Sequence, residues 1–224
     1  MLFRSFEARH PGVQVRLHLD TGLELRRMIA AVQNDGRHTV GRGVVHVVAP
    51  GGEELLDRLE QKSYVLPDTR RVYAVSRLVV IVPESLVDAP ATIEEMARTS
   101  GWRLAVADPG ETDLGWQTRQ ALQALGMEPS FRDRLDVAVD GRAVLDHVLR
   151  GRADAGVVFS AEAVRERERV RIVTVLRHEA APAIRHAAAI DRYCPDRNLC
   201  REFLEFLRTP EAQSVLRQLG YDLP

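Results

Sequence analysis

Runs of β-branched and aliphatic residues alternate with amphipathic stretches along nearly the whole chain. Strands are expected at Val13–Leu19, Val44–Ala49, Val72–Val82, Arg103–Ala107, Leu135–Val139, Ala155–Phe159, Val170–Leu176 and Ile184–Ile190. Helices are expected between them. Leu23–Gln33 places Leu25, Met28, Ile29 and Val32 on one stripe, and Glu53–Gln61, Ile93–Arg98, Leu114–Leu125 and Ala143–Leu149 are further amphipathic segments. Two adjacent helices, Leu199–Arg208 and Pro210–Leu219, close the chain, with Pro210 in a first turn and Thr209 as its N-cap. Strands that alternate with helices imply an α/β protein with largely parallel sheets.

Val72–Val82 exceeds the length of an ordinary strand, as a segment crossing between two lobes would. Pro182 and the extended stretch after it suit a return crossing. The expected division is therefore 1–80 plus 184–224 for one lobe and 81–183 for the other, with hinges near 78–83 and 180–188. A small ligand would sit in the cleft of such a fold.

The length of 224 residues allows one large domain or two lobes. With 45% hydrophobic and 28% charged residues, the chain can build a full core. The formal net charge of −1 excludes a global basic field for nucleic acid or anionic lipid, so any anion recognition must be local. The longest apolar run, Leu78–Pro83, has strand length and is far short of a membrane helix. Met1–Glu7 has neither the basic region nor the apolar stretch of an export signal.

Five segments in order carry a resemblance. They are Phe6–Val13, Thr69–Pro83, Asp108-Pro109 with Gly115, Ala121-Leu122 and Leu125-Gly126, Gly151–Phe159, and Phe203–Ala212 with Leu219-Gly220-Tyr221. Together they resemble the molybdate-binding periplasmic proteins of ABC importers over nearly the whole chain. The resemblance implies a two-lobed periplasmic-binding fold of the Venus-flytrap type, each lobe a mostly parallel sheet flanked by helices. It implies a solute-binding component that hands molybdate, tungstate or a similar oxyanion to an ABC transporter permease. It implies no enzymatic activity, cofactor, metal or nucleic acid, and a monomer. The family's first strand and its Ser-containing turn have no counterpart, because Met1 falls inside the helix that follows them. The expectation is a start further upstream that includes an export signal, giving a periplasmic protein. A truncated paralogue, or a cytoplasmic chain if Met1 is the true start, is the alternative.

A tetrahedral dianion is best held by neutral donors, and helix N-termini supply them together with a favourable dipole. The resemblance implies four places to look. At Asp20-Thr21-Gly22, Thr21 offers a hydroxyl and Gly22 an amide, against the plainer reading of a cap and a turn. At Thr112–Trp116, the amides of Leu114 and Gly115 can serve, while Asp113 is awkward beside a dianion and as an N-cap would consume the same donors. At Asp140-Gly141-Arg142, the Gly141 amide is the donor, Asp140 reads as an N-cap, and Arg142 is either a compensating cation or a surface residue. At the fourth place, Phe159 stands where the family commonly has a tyrosine, so that hydroxyl is lost; Ser160 replaces it or only caps a helix. A hydrogen bond to a charged ligand contributes roughly 1.5–3 kcal/mol, so losing two weakens binding by about two to four decades.

Other chemistry finds no pattern. His10, His18, His38, His46, His147, His178 and His186 are scattered, and no nucleophile elbow, Walker loop or dinucleotide fingerprint is present. The mixed-sign run Arg165–Arg169 reads as a solvated turn. Cys194 and Cys200 flank the start of a helix and can bond in an oxidising compartment if their Cα atoms approach within about 7 Å. The short loop between them argues for free thiols. Two functions from different classes remain: a transport receptor, and a ligand-sensing regulatory domain or paralogue that has lost oxyanion binding. No helix-turn-helix pattern precedes the chain to support the sensor.

Overall fold

A computed structural model describes residues 2–20, 24, 25, 27, 38–40, 43–50, 52–176 and 183–224. The chain divides into two compact units, Met1–Val75 with Arg185–Pro224, and Ser76–Ile184. The first division falls after Val75, ahead of the expected boundary at residue 80. Two residues further on, at Arg77, the long run splits into β4 (Arg71–Ser76) and β5 (Leu78–Pro83). The β5–β8 ladder ends there because the Arg77 amide turns to the Ser160 hydroxyl instead of a main-chain carbonyl. The Ser160 amide donates to the Arg77 carbonyl at 2.8 Å, and the Arg77 amide donates to Ser160 Oγ at 3.3 Å.

In the second unit, β5 is joined by β6 (Leu104–Ala107), β7 (Leu135–Ala138), β8 (Ala155–Phe159) and β9 (Val170–Val175) in the order β7-β6-β8-β5-β9. β6 runs parallel to both β7 and β8, whereas β5 is antiparallel to β8 and β9. Four strands therefore share one direction and β5 opposes them, so the sheet is mixed. Each step among β6, β7 and β8 passes through a helix, as parallel neighbours require. β5 arrives directly from β4 and has no such crossover. Leu78 to Val82 are all buried, which explains why this central strand reads as an unbroken apolar run.

The helices of this unit, numbered in chain order after α1 (Leu2–Arg9) and α2 (Glu53–Gln61), are α3 (Ile93–Arg98), α4 (Asp113–Ala124), α5 (Glu128–Phe131), α6 (Gly141–Leu149) and α7 (Ser160–Arg165). α6 buries Val144, Leu145 and Val148. Its close approach to β8 needs Gly156, where an added Cβ would lie 2.8 Å from methyls of both Val144 and Val148. At the start of β7, the Arg134 guanidinium donates to the carbonyls of Ala97 at 2.6 Å, Thr99 at 2.8 Å and Ser130 at 2.6 Å. It also lies 5.0 Å from the centre of the Phe131 ring. A cation thus closes the carbonyl ends of α3 and α5.

The first unit holds a three-stranded sheet, β3-β10-β4, with β3 (Val47–Val48) antiparallel to β10 (Ile184–Ile190). The two-stranded pair β1 (Thr39–Val40) and β2 (Gly43–Val44) precedes it. Val44–Ala49, expected as one strand, is therefore two short pieces. Helices α8 (Arg197–Phe206) and α9 (Pro210–Gln218) complete the unit, α9 capped by Thr209 through the Ala212 amide at 3.3 Å. Phe6 of α1 is buried against Phe203 and Phe206 of α8, with ring centres 5.1 and 5.4 Å apart. His38 and Asp191 form a fully buried pair at 2.7 Å, with the Tyr64 and Tyr193 rings edge-on to the imidazole. Burial pushes the Asp191 carboxyl up against the pull of His38.

Val13–Leu19 is not a strand. Val13 and Val15 pack on the Phe6 cluster, but Leu17 and Leu19 are exposed, and the Val15 amide donates to Glu7 Oε1 at 2.8 Å instead of entering a ladder. Among the described residues no strand pairs with it, and an alternating pattern without a partner forms no ladder. The expected helix Leu23–Gln33 falls largely outside the described residues, as do the 177–182 part of the return crossing and Pro182. No helix among the described residues is long and apolar enough to cross a membrane.

Candidate functional site

Because β6, β7 and β8 run the same way, their carboxyl ends lie along one edge of the second unit's sheet. α4, α6 and α7 start from that edge. Leu114, Gly115, Gly141, Phe159 and Ser160 are thereby brought to one edge by topology alone. Thr21 and Gly22 lie outside the described residues.

The β6–α4 turn is built by Asp108 and Thr112. Asp108 Oδ1 accepts the Gly110 amide at 2.7 Å, and its carbonyl accepts the Thr112 hydroxyl at 2.9 Å. Thr112, not Asp113, is the N-cap, and its Oγ1 accepts the Gly115 amide at 2.9 Å. The Gly115 donor is thus spent within the protein. The residue has another role: a Cβ there would lie 2.4 Å from the Ala107 and Asp108 carbonyl oxygens, so only glycine lets α4 start this close to β6. The first helical bond of α4 is Trp116 to Thr112 at 3.0 Å, which leaves the Leu114 amide without an intrahelical acceptor.

α6 starts in the same manner. Asp140 is its N-cap and accepts the Ala143 amide at 2.7 Å, and Val144 bonds the Asp140 carbonyl at 3.0 Å. The Gly141 and Arg142 amides precede this ladder and have no intrahelical acceptor. Arg142 does not act as a compensating cation at this edge; its exposed side chain pairs with Glu166 at 2.8 Å. Of the expected turn Arg165–Arg169, Glu166–Arg169 is a turn, while Arg165 ends α7.

At β8–α7, Phe159 is half-buried against the core and carries no hydroxyl. Ser160 is committed to Arg77, as described above. Between this turn and α6 stands a group to which the sequence alone assigns no role, the Glu162 carboxyl. It accepts the Phe159 amide at 3.1 Å, and its oxygens lie 2.5 and 2.9 Å from where a Cβ on Gly141 would be. Burial pushes the Glu162 carboxyl above its ordinary value, with the Asp140 carboxylate adding to the rise, while the Phe159 amide and Arg165 oppose it. A glutamate at the third position of a helix is a capping signal, but using it requires knowing that α7 starts at Ser160. The edge therefore carries the Leu114, Gly141 and Arg142 amides and the N-terminal dipoles of α4 and α6, with the carboxyls of Asp140 and Glu162 beside α6.

The chain is similar to known proteins over most of its length. The chain is 25% identical to the molybdate-binding protein ModA of Escherichia coli over 175 residues, covering 76% of this chain and 67% of that protein. It is 28% identical to the Haemophilus influenzae ModA over 166 residues, 73% of this chain and 65% of the relative. The chain thus spans about two thirds of the length of these relatives. Among solved structures, the periplasmic molybdate-binding protein of Azotobacter vinelandii superposes with a TM-score of 0.75 at 19% identity, covering 100% of this chain and 94% of that one. The sulfate-binding protein SubI of Mycobacterium tuberculosis gives 0.82 at 17% identity, covering 99% and 81%. These likenesses show a two-lobed periplasmic-binding fold. The family model described as bacterial extracellular solute-binding protein matches residues 2–222, and the chain belongs to that family.

Proposed function

We propose that this protein is the extracytoplasmic solute-binding component of an ABC importer, and that its ligand is molybdate or another tetrahedral oxyanion such as tungstate or sulfate. The observation that carries the reading is the carboxyl edge of the second unit's sheet, where the Leu114 and Gly141 amides begin two helices without intrahelical acceptors. Relatives named for molybdate and a structural neighbour named for sulfate support the ligand class. The protein acts by binding rather than catalysis, and delivers its ligand to a membrane permease.

The carboxyls of Asp140 and Glu162 favour a second reading, a paralogue whose oxyanion affinity has fallen. A neighbour described as mediating two-component signal transduction shares the fold, at a TM-score of 0.76 and 13% identity. Thermal unfolding with molybdate, tungstate, sulfate and phosphate separates the two. A ligand at a hundred times its Kd stabilises by about 2.7 kcal/mol, several degrees in a protein of this size. A rise of that kind below millimolar molybdate or tungstate supports the transport reading. No rise with any of the four at 10 mM overturns it.

A further inference from the structure

We propose that Cys194 and Cys200 form an intrachain disulfide that fastens the chain leaving β10 to the start of α8. Both side chains are buried, each 4% exposed, and as free thiols their Sγ atoms face one another in direct contact at 2.6 Å. Main-chain bonds set this approach. The Cys194 amide donates to the Asp191 carbonyl at 3.1 Å, and the Cys200 amide to the Asp196 carbonyl at 3.1 Å. Asp196 caps α8 by accepting the Leu199 amide at 3.0 Å, so the turn at Pro195-Asp196 folds the first helical turn back over Cys194. The shortness of the loop, which argued for free thiols in the sequence, is what holds the two sulfurs together.

Other uses of two cysteines fit poorly. Burial, with the neighbouring Cys194, pushes the Cys200 thiol far up, which suits neither a nucleophile nor a redox relay. No group of three or more His, Cys, Asp or Glu able to hold a metal occurs among the described residues. The further contact of Cys200 Sγ with the His46 carbonyl, at 3.8 Å, is weak.

Bond formation needs an oxidant, here the disulfide of an extracytoplasmic thiol oxidase or of oxidised glutathione. One cysteine, as thiolate, attacks that disulfide, giving a mixed disulfide and releasing one thiol of the oxidant. The second cysteine then attacks the mixed disulfide, forming the Cys194–Cys200 bond and releasing the other thiol. Two electrons pass to the oxidant, and the two cysteine protons end on its thiols. Since the folded unit buries both sulfurs, exchange precedes closure of the 191–200 segment. The cellular oxidant rests on the extracytoplasmic location proposed above; the placement of the sulfurs does not.

The test refolds the full chain in a mixture of reduced and oxidised glutathione, then alkylates it under denaturing conditions. The expected product has no alkylatable thiol and a mass two hydrogens below the reduced chain. Its melting temperature lies about 5–10 °C above that of the reduced chain, as closure of a short loop gives. The C194S/C200S variant should melt with the reduced form. Two alkylated cysteines, a glutathione adduct on either, or identical melting of oxidised and reduced chains overturns the proposal. The thiol count is read on the unsubstituted chain, so it stands even if the variant does not fold. Oxyanion binding is scored separately, so either proposal can fail alone.

Discussion

The two edges of the second unit's sheet apply the same helix-dipole physics to opposite ends. At the amino edge, Arg134 meets carbonyls at the ends of α3 and α5 directly, and the Arg103 amide bonds Asp154 Oδ2 at 2.8 Å. The carbonyl ends of α3 and α5 are thus met by one guanidinium. At the carboxyl edge, Thr112 and Asp140 each satisfy only the third amide of their helices. The earlier amides of Leu114 and Gly141 are left for something else. At one edge a side chain answers the helix carbonyls; at the other the first amides of two helices lack an intrahelical acceptor, and on the reading proposed above they are the ligand donors.

The widest break in this contrast comes from Arg134→Ala. It strands several carbonyls at once and should cost roughly 3–4 kcal/mol in chemical unfolding, without altering oxyanion affinity in the folded fraction. A loss below 1 kcal/mol would show that water replaces the guanidinium readily. Gly115→Ala comes next. Helix propensity alone favours alanine by about 1 kcal/mol, but a Cβ would overlap the Ala107 and Asp108 carbonyls at 2.4 Å. Those contacts are backbone and cannot yield, so a net loss of roughly 2–3 kcal/mol is expected; a stabilised variant would refute the packing role.

Glu162→Gln acts on the carboxyl edge alone. The amide oxygen can still accept the Phe159 N–H, and the charge beside Gly141 disappears, so affinity for sulfate or molybdate should rise about tenfold by titration calorimetry. The pH dependence follows from the same group. Its raised value means that the neutral form persists above the ordinary carboxylate range, and charge appears as pH rises through the shifted value. Both the stability owed to the neutral form and anion affinity should therefore fall with rising pH, by at most about tenfold per unit for affinity. Sulfate remains a dianion throughout and isolates the effect. The glutamine variant should be flat, and an equally steep variant would assign the slope elsewhere. The smallest expected effect is Thr112→Ala, about 1 kcal/mol from the lost cap. A chain that keeps its stability would mean Asp113 takes over as cap.

Much of this frame was legible in the sequence. Ala155–Phe159, Ile184–Ile190, Glu53–Gln61 and Ile93–Arg98 fold within the expected bounds, because the apolar pattern of each matches the positions it buries. Val13–Leu19 misled because alternation shows which face is apolar, not whether a partner strand exists. At the site, the chain positions of the helix starts were readable from local signals. Which cap spends which amide was not, since Thr112 and Asp113 are both good caps and differ by one residue of register. Glu162 escaped notice because its meaning depends on Gly141, distant in sequence and adjacent only after β7, α6 and β8 have formed.

The doubly buried run of β5 also has a consequence during synthesis. Its partner β8 begins about 70 residues later, so at ~5–20 residues per second the ribosome needs roughly 4–14 s to deliver it. For that interval Leu78–Val82 emerges with both faces apolar and no neighbour to cover them. A nascent chain stalled before residue 155 should hold a chaperone at this segment, and one extended past 176 should release it.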